Sequence, residues 1–147
     1  MINLCANKVM LIDRQGNQIT ELAVAELLHT GEIKKHILRT QKIYEARRDY
    51  LSNLLRQELG DYVSFELADS GLAFWLRLDV SININEFIKE AEFQKVRIQM
   101  GRLFSHQENP VLGIRMGFAN LNNEEVTQGV NRLKNAFARQ NQNLLSA

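Results

Sequence analysis

Apolar positions along the chain fall into segments of two periods. Between Ile19 and Leu28, apolar residues at Ile19, Leu22, Ala23 and Leu27 recur at helical steps, and Gly31 is placed to end that helix. Glu32 to Leu59 is the longest periodic stretch. Ile33, Ile37, Thr40, Tyr44, Leu51, Leu54 and Leu55 recur at three- and four-residue steps and predict one buried stripe, and Gly60 closes the helix. Arg48 falls beside that stripe, where its stem can pack and its head needs a partner. Two-residue alternation follows: Val63, Phe65 and Leu67, then Leu72, Phe74, Leu76 and Leu78, with the turn-forming Ala68-Asp69-Ser70-Gly71 between them. That is a hairpin.

A short helix opens at Asn83, with Glu86 three residues on as a capping box requires and Ile82 and Phe87 spaced for a hydrophobic staple. Val96, Ile98 and Met100 predict a brief strand, and Gly101 to Pro110 a loop. Leu112, Ile114, Met116 and Phe118 alternate again. Asn122 and Glu125 form a second capping box, opening a helix that buries Val126, Val130, Leu133 and Phe137; a polar, frayed tail is expected from Gln140. Val9-Met10-Leu11-Ile12 suits either a strand or a lead-in from something upstream. The order predicts an α+β fold: a mainly antiparallel sheet of three to four strands with helices on one face. Its other face, carrying Ala73, Trp75, Arg77, Gly113 and Arg115, is chemically mixed and suits water, a ligand or another domain.

At 147 residues the chain is long enough to bury a real core, and 45% hydrophobic with 24% charged residues is an ordinary globular composition. A formal net charge of +1 supplies no global field for nucleic acid or an anionic membrane. One cysteine, Cys5, excludes an internal disulfide and a zinc cluster of the cysteine type. No apolar run has the length of a membrane span, and no signal segment is evident, so the expected location is cytoplasmic. His29, His36 and His106 are too scattered for a metal site. Lys34, Lys35, Arg39, Lys42, Arg47 and Arg48 spread around the long helix and are interrupted by Glu32, Glu45 and Asp49, as on a solvated face. No phosphate loop, nucleophile elbow or Cys–His pairing is present, so no catalytic residue is assigned.

One pattern carries candidate chemistry. Arg115 is flanked two residues either side, on its own strand face, by Gly113 and Gly117. A guanidinium fork with cleared space suits a carboxylate, held by two parallel hydrogen bonds. A partly exposed salt bridge beside glycines required by a bulge satisfies the same pattern.

Three blocks occur in order: Thr30-Gly31 with His36-Ile37 and Arg39; Tyr44-Glu45-Ala46-Arg47-Arg48-Asp49; and Gly113-Ile114-Arg115-Met116-Gly117-Phe118. Together they resemble the C-terminal small domain of fold-type-I pyridoxal-phosphate aminotransferases. The segment from Gly31 to Asp49 most resembles the aminotransferase-like half of MocR-type transcriptional regulators of the GntR family. The resemblance covers roughly residues 18 to 139, leaving 1 to 17 as a lead-in from an upstream domain and 140 to 147 as a polar tail. It implies that Arg115 binds a substrate or effector carboxylate. It also implies that Ser70, Gly71 and Phe104 belong to loops near the site, although Met100 stands where the family has a proline.

The same resemblance places the Schiff-base lysine and most cofactor contacts in a large domain upstream, and a helix-turn-helix further upstream still. The chain is then expected not to be catalytic alone or to bind pyridoxal phosphate covalently. Its expected partners are that large domain, a second copy in a homodimer, and an amino acid or cofactor adduct, with DNA met only through the N-terminal domain. The alternative is the small domain of a catalytic aminotransferase, so whether the parent is an enzyme stays open.

Overall fold

The computed structural model describes residues 8, 17–67, 69–99, 101 and 112–145, with side chains to Gln140. The chain divides into two compact units, Met1–Lys42 and Ile43–Ala147.

In the first unit, helix α1 spans Gln18–His29. Asn17 caps it, its Oδ1 accepting from the Thr20 N–H at 3.2 Å. Helix α2, Glu32–Leu59, begins in this unit after Gly31, whose φ of +76° makes the turn. The apolar side of α1 is not buried: no residue of that helix is, and Ile19 and Leu22 are 82% and 72% exposed. On α2, Ile37 is likewise exposed, and burial begins only at Leu51. Periodicity identified the helix, but an apolar stripe is buried only where something packs on it.

The second unit holds the sheet. Strand β1 (Val63–Ser64) pairs antiparallel with β2 (Ala73–Leu78), and β2 with β3 (Gly113–Gly117), in the order β1-β2-β3. Helix α3 spans Ile84–Phe93 and α4 spans Asn123–Leu145. Phe74, Leu76, Ile114 and Phe118 join Leu51, Leu55 and Leu59 of α2, Phe87 and Ala91 of α3, and Val126, Val130, Leu133 and Phe137 of α4 in one core. Phe137 lies at its centre, stacked on Phe87 at 4.1 Å and on Tyr62 at 4.8 Å between ring centroids. Burying a ring of that size contributes about 1.5–3 kcal/mol. The fold is α+β with helices on one sheet face, as the alternation predicts.

The two capping boxes differ. Asn122 and Glu125 bond reciprocally, each side chain accepting from the other's backbone N–H at 2.9 and 2.8 Å. Asn83 accepts from Asn85 and Glu86, but the Glu86 carboxylate turns to Lys89 at 2.8 Å instead of reaching back. Val96–Gln99 form no ladder; one bond, from the Arg115 N–H to the Gln99 carbonyl at 3.3 Å, ties that segment to β3. Lys95 turns the chain there at φ +59°, a left-handed conformation that costs a non-glycine residue about 1–2 kcal/mol. Helix α4 continues to Leu145, through the start of the expected polar tail, and Gln140 is buried. Among the described residues, no helix is long and apolar enough to cross a membrane, and no group of side chains could hold a metal ion.

Candidate functional site

Arg115 sits in the middle of β3, directly opposite Trp75 of β2. Alternation sends Phe74, Leu76 and Ile114 into the core and Ala73, Trp75, Arg77, Arg115 and Gly117 to the open face of the sheet. The Arg115 side chain is exposed, and among the described residues it makes no hydrogen bond or ion pair. Several other arginines of this unit are engaged, although Arg97 and Arg132, like Arg115, have no partner among the described residues. Arg77 meets Glu66 at 3.4 Å, and Arg48, half-buried beside the stripe, holds Asp49 at 2.9 Å. Arg47 donates to the Ala119 carbonyl just beyond β3.

The two glycines flanking Arg115 have different causes. A Cβ on Gly113 would stand 2.8 Å from Trp75 Nε1 and 2.9 Å from both Trp75 Cε2 and the Leu76 carbonyl oxygen. The space beside Arg115 on that side is therefore filled by the indole of Trp75, which crosses from β2 to lie over Gly113. A Cβ on Gly117 would meet only the Leu72 carbonyl oxygen, at an ordinary 3.8 Å. On that side the face is open, above the small pair Ala73 and Gly117.

A groove of about 500 Å³ lies on the same sheet face, lined by Glu66 and Leu67, by Asp69 and Ser70 of the hairpin turn, and by Ala73, Trp75 and Arg77 of β2. Gly71, at φ +89°, makes the turn possible without lining the groove. Of the residues singled out in the sequence, Ser70 is thus in the groove, and Arg115 is one strand away, with Trp75 common to both settings. Phe104 lies outside the described residues. The role of Trp75 was not read from the sequence, although its place on the mixed face was. The Arg47–Ala119 contact spans 72 positions and has no local signal.

No family model matches the chain. It is 30% identical over 132 residues to the HTH-type transcriptional regulator YhdI of Bacillus subtilis, an alignment covering 90% of this chain and 28% of YhdI. It is 29% identical over 118 residues to YdeL, an HTH-type transcriptional regulator of the same organism, covering 80% of this chain and 26% of YdeL. The chain thus spans less than a third of the length of these regulators. Among solved structures, it superposes on the α-aminoadipate aminotransferase LysN of Thermus thermophilus with a TM-score of 0.81 at 20% identity. That match covers 92% of this chain and 35% of LysN. The chain has homologues among HTH-type transcriptional regulators, and its fold is that of a part of an aminotransferase.

LysN was solved with N-(5'-phosphopyridoxyl)-L-leucine. The described residues of this chain do not fit the whole of such a group. No lysine lines the groove, and none of its lining residues lies in a helix whose N-terminus could take a phosphate. An exposed guanidinium such as that of Arg115 has the chemistry to hold a carboxylate by two parallel hydrogen bonds.

Proposed function

We infer that this chain is the C-terminal, aminotransferase-like domain of a MocR-type regulator of the GntR family, and that Arg115 holds the carboxylate of the effector. Homology to HTH-type regulators over most of the chain, combined with an aminotransferase fold, supports the first part. The second rests on one observation: an exposed guanidinium at the centre of a strand, without a partner among the described residues, on the open face of the sheet. The effector is an amino acid or its pyridoxal-phosphate adduct. Residues outside the groove contribute the cofactor's phosphate and ring contacts, since its described lining holds no lysine and no helix N-terminus. The domain therefore supplies recognition rather than catalysis. Effector binding biases two arrangements of a homodimeric, cytoplasmic parent, and so its affinity for DNA, which the parent meets through an N-terminal helix-turn-helix.

A second assignment follows from the likeness to LysN: the small domain of a catalytic aminotransferase, in which Arg115 orients a substrate carboxylate. The reading frame preceding Met1 separates the two. A helix-turn-helix followed by a large domain identifies the regulator, and a large domain alone the transferase.

The Arg115 assignment is tested in the full-length protein by calorimetric titration with amino acids in the presence of pyridoxal phosphate. Arg115→Ala is expected to weaken binding by about 1.5–3 kcal/mol, the scale of a hydrogen bond to a charged group. Unchanged affinity would make Arg115 a solvated surface cation.

A further inference from the structure

We propose that Arg97 makes the Arg115 site a two-arginine clamp, and that the ligand it takes is a dicarboxylate, one carboxylate to each guanidinium. The proposal rests on the assignment of Arg115 as a carboxylate clamp and adds the second anionic group of the ligand.

The geometry comes from the outer edge of β3. Leu112 and Phe118 bond toward β2, the Leu112 carbonyl accepting from the Leu78 N–H and the Phe118 N–H donating to the Leu72 carbonyl. Arg115, an odd number of residues from both, turns its N–H outward, where it donates to the Gln99 carbonyl at 3.3 Å. The segment Val96–Gln99 therefore flanks β3 on the side away from β2. Val96 and Ile98 pack against the core, while Arg97 and Gln99 are exposed. That alternation belongs to an extended segment and puts Arg97 and Gln99 on the open face with Arg115. It also sets the sense of the segment. A parallel arrangement with this bond would put Ile98, not Gln99, on the face of Arg115, whereas an antiparallel one sets Gln99 opposite Arg115. Arg97, two positions back, then lies toward the Gly117 end of β3. It is a diagonal neighbour of Arg115, a relation that separates Cβ atoms by about 7–8 Å.

Neither guanidinium has a counter-ion among the described residues. Glu66 is taken by Arg77 at 3.4 Å. Gly117, next to both Arg97 and Arg115, leaves the space beside them open: a Cβ there would meet only the Leu72 carbonyl oxygen, at 3.8 Å. A monocarboxylate occupies one guanidinium fork and leaves the other cation unpaired. A dicarboxylate the length of glutarate or adipate pairs both, each by two parallel hydrogen bonds, with its methylenes over Gly117. A phosphate presents its charges at one centre and does not span the two.

The 147-residue chain is titrated at constant ionic strength with glutarate, adipate, butyrate and inorganic phosphate while the Gly117 amide signal is followed. Butyrate and the dicarboxylates are expected to shift it saturably, the better dicarboxylate about tenfold more tightly than butyrate. Phosphate should bind no more tightly than butyrate. Arg97→Gln should bring the dicarboxylate down to the affinity of butyrate and leave butyrate unchanged, and Arg97→Lys should keep part of the gain. Arg132→Gln removes another exposed, unpartnered arginine, on α4, and should change neither affinity, which excludes general charge attraction. Equal affinities for dicarboxylates and butyrate would overturn the role of Arg97 and leave the Arg115 clamp standing. So would a preference that survives Arg97→Gln, that falls equally with Arg132→Gln, or that phosphate shares. Butyrate titrations unaffected by Arg115→Ala, or the absence of any saturable shift, would overturn the clamp and the proposal with it.

Discussion

Gly113 and Gly117 look alike in sequence and differ in cause. At Gly113 a methyl group would press on the Leu76 carbonyl and on an indole that packing holds in place, so Gly113→Ala is expected to destabilise the fold by about 1–3 kcal/mol. At Gly117 the same methyl finds ordinary contact and φ is not in the left-handed region, so Gly117→Ala should change stability by less than about 0.5 kcal/mol. Urea denaturation of the two variants checks the pair. Similar midpoints would mean that the indole moves aside freely and that Gly113 has no packing role. Arg47 and Arg48 also diverge although adjacent. Arg48 finds its partner next door in Asp49, while Arg47 crosses to the Ala119 carbonyl and ties the end of β3 to α2.

At the scale of elements, helix starts are set locally and helix burial is not. The Asn122–Glu125 box satisfies two orphan donors of α4 reciprocally, and α4 carries Phe137 into the aromatic stack with Phe87 and Tyr62. Asn122→Ala is expected to lower stability by about 1 kcal/mol. Because Glu86 is committed to Lys89, Glu86→Ala should cost less than Glu125→Ala. Thermal denaturation of the four chains, including the unsubstituted one, tests this ordering, and a Glu86→Ala loss equal to that of Glu125→Ala would contradict it. The segment Val96–Gln99 shows the converse. Its alternation resembles a strand, yet only one described bond joins it to β3. A strand needs a partner in register, which alternation cannot supply.

On the scale of the whole molecule, the first unit leaves apolar side chains in solvent. Ile19, Leu22, Leu27 and Leu28 of α1 and Ile37 and Leu38 of α2 are all at least 44% exposed. Contiguous apolar surface of this kind marks an interaction face in a soluble protein. The isolated chain is therefore expected to self-associate, and Leu22→Glu combined with Leu28→Glu should suppress this without unfolding the second unit. Sedimentation equilibrium over a range of concentrations provides the measurement. A strictly monomeric chain at high concentration would show that this surface is tolerated in water.

Much of the fold was legible in the residues. The long helix, the hairpin, the caps and the face on which Arg115 stands all follow from contacts within a few positions, where spacing and side-chain type decide the outcome. The three ordered blocks also pointed to the aminotransferase fold that LysN shares. Only the tertiary structure decided which stripes are buried, since burial on α2 from Leu51 onward depends on strands and helices that arrive later in the chain. It also decided why Gly113 is glycine. The answer is the indole of a residue 38 positions away in sequence, brought there by the pairing of β2 with β3. Local sequence encodes which side of an element is apolar. What that side meets is set by the non-local packing of the folded chain.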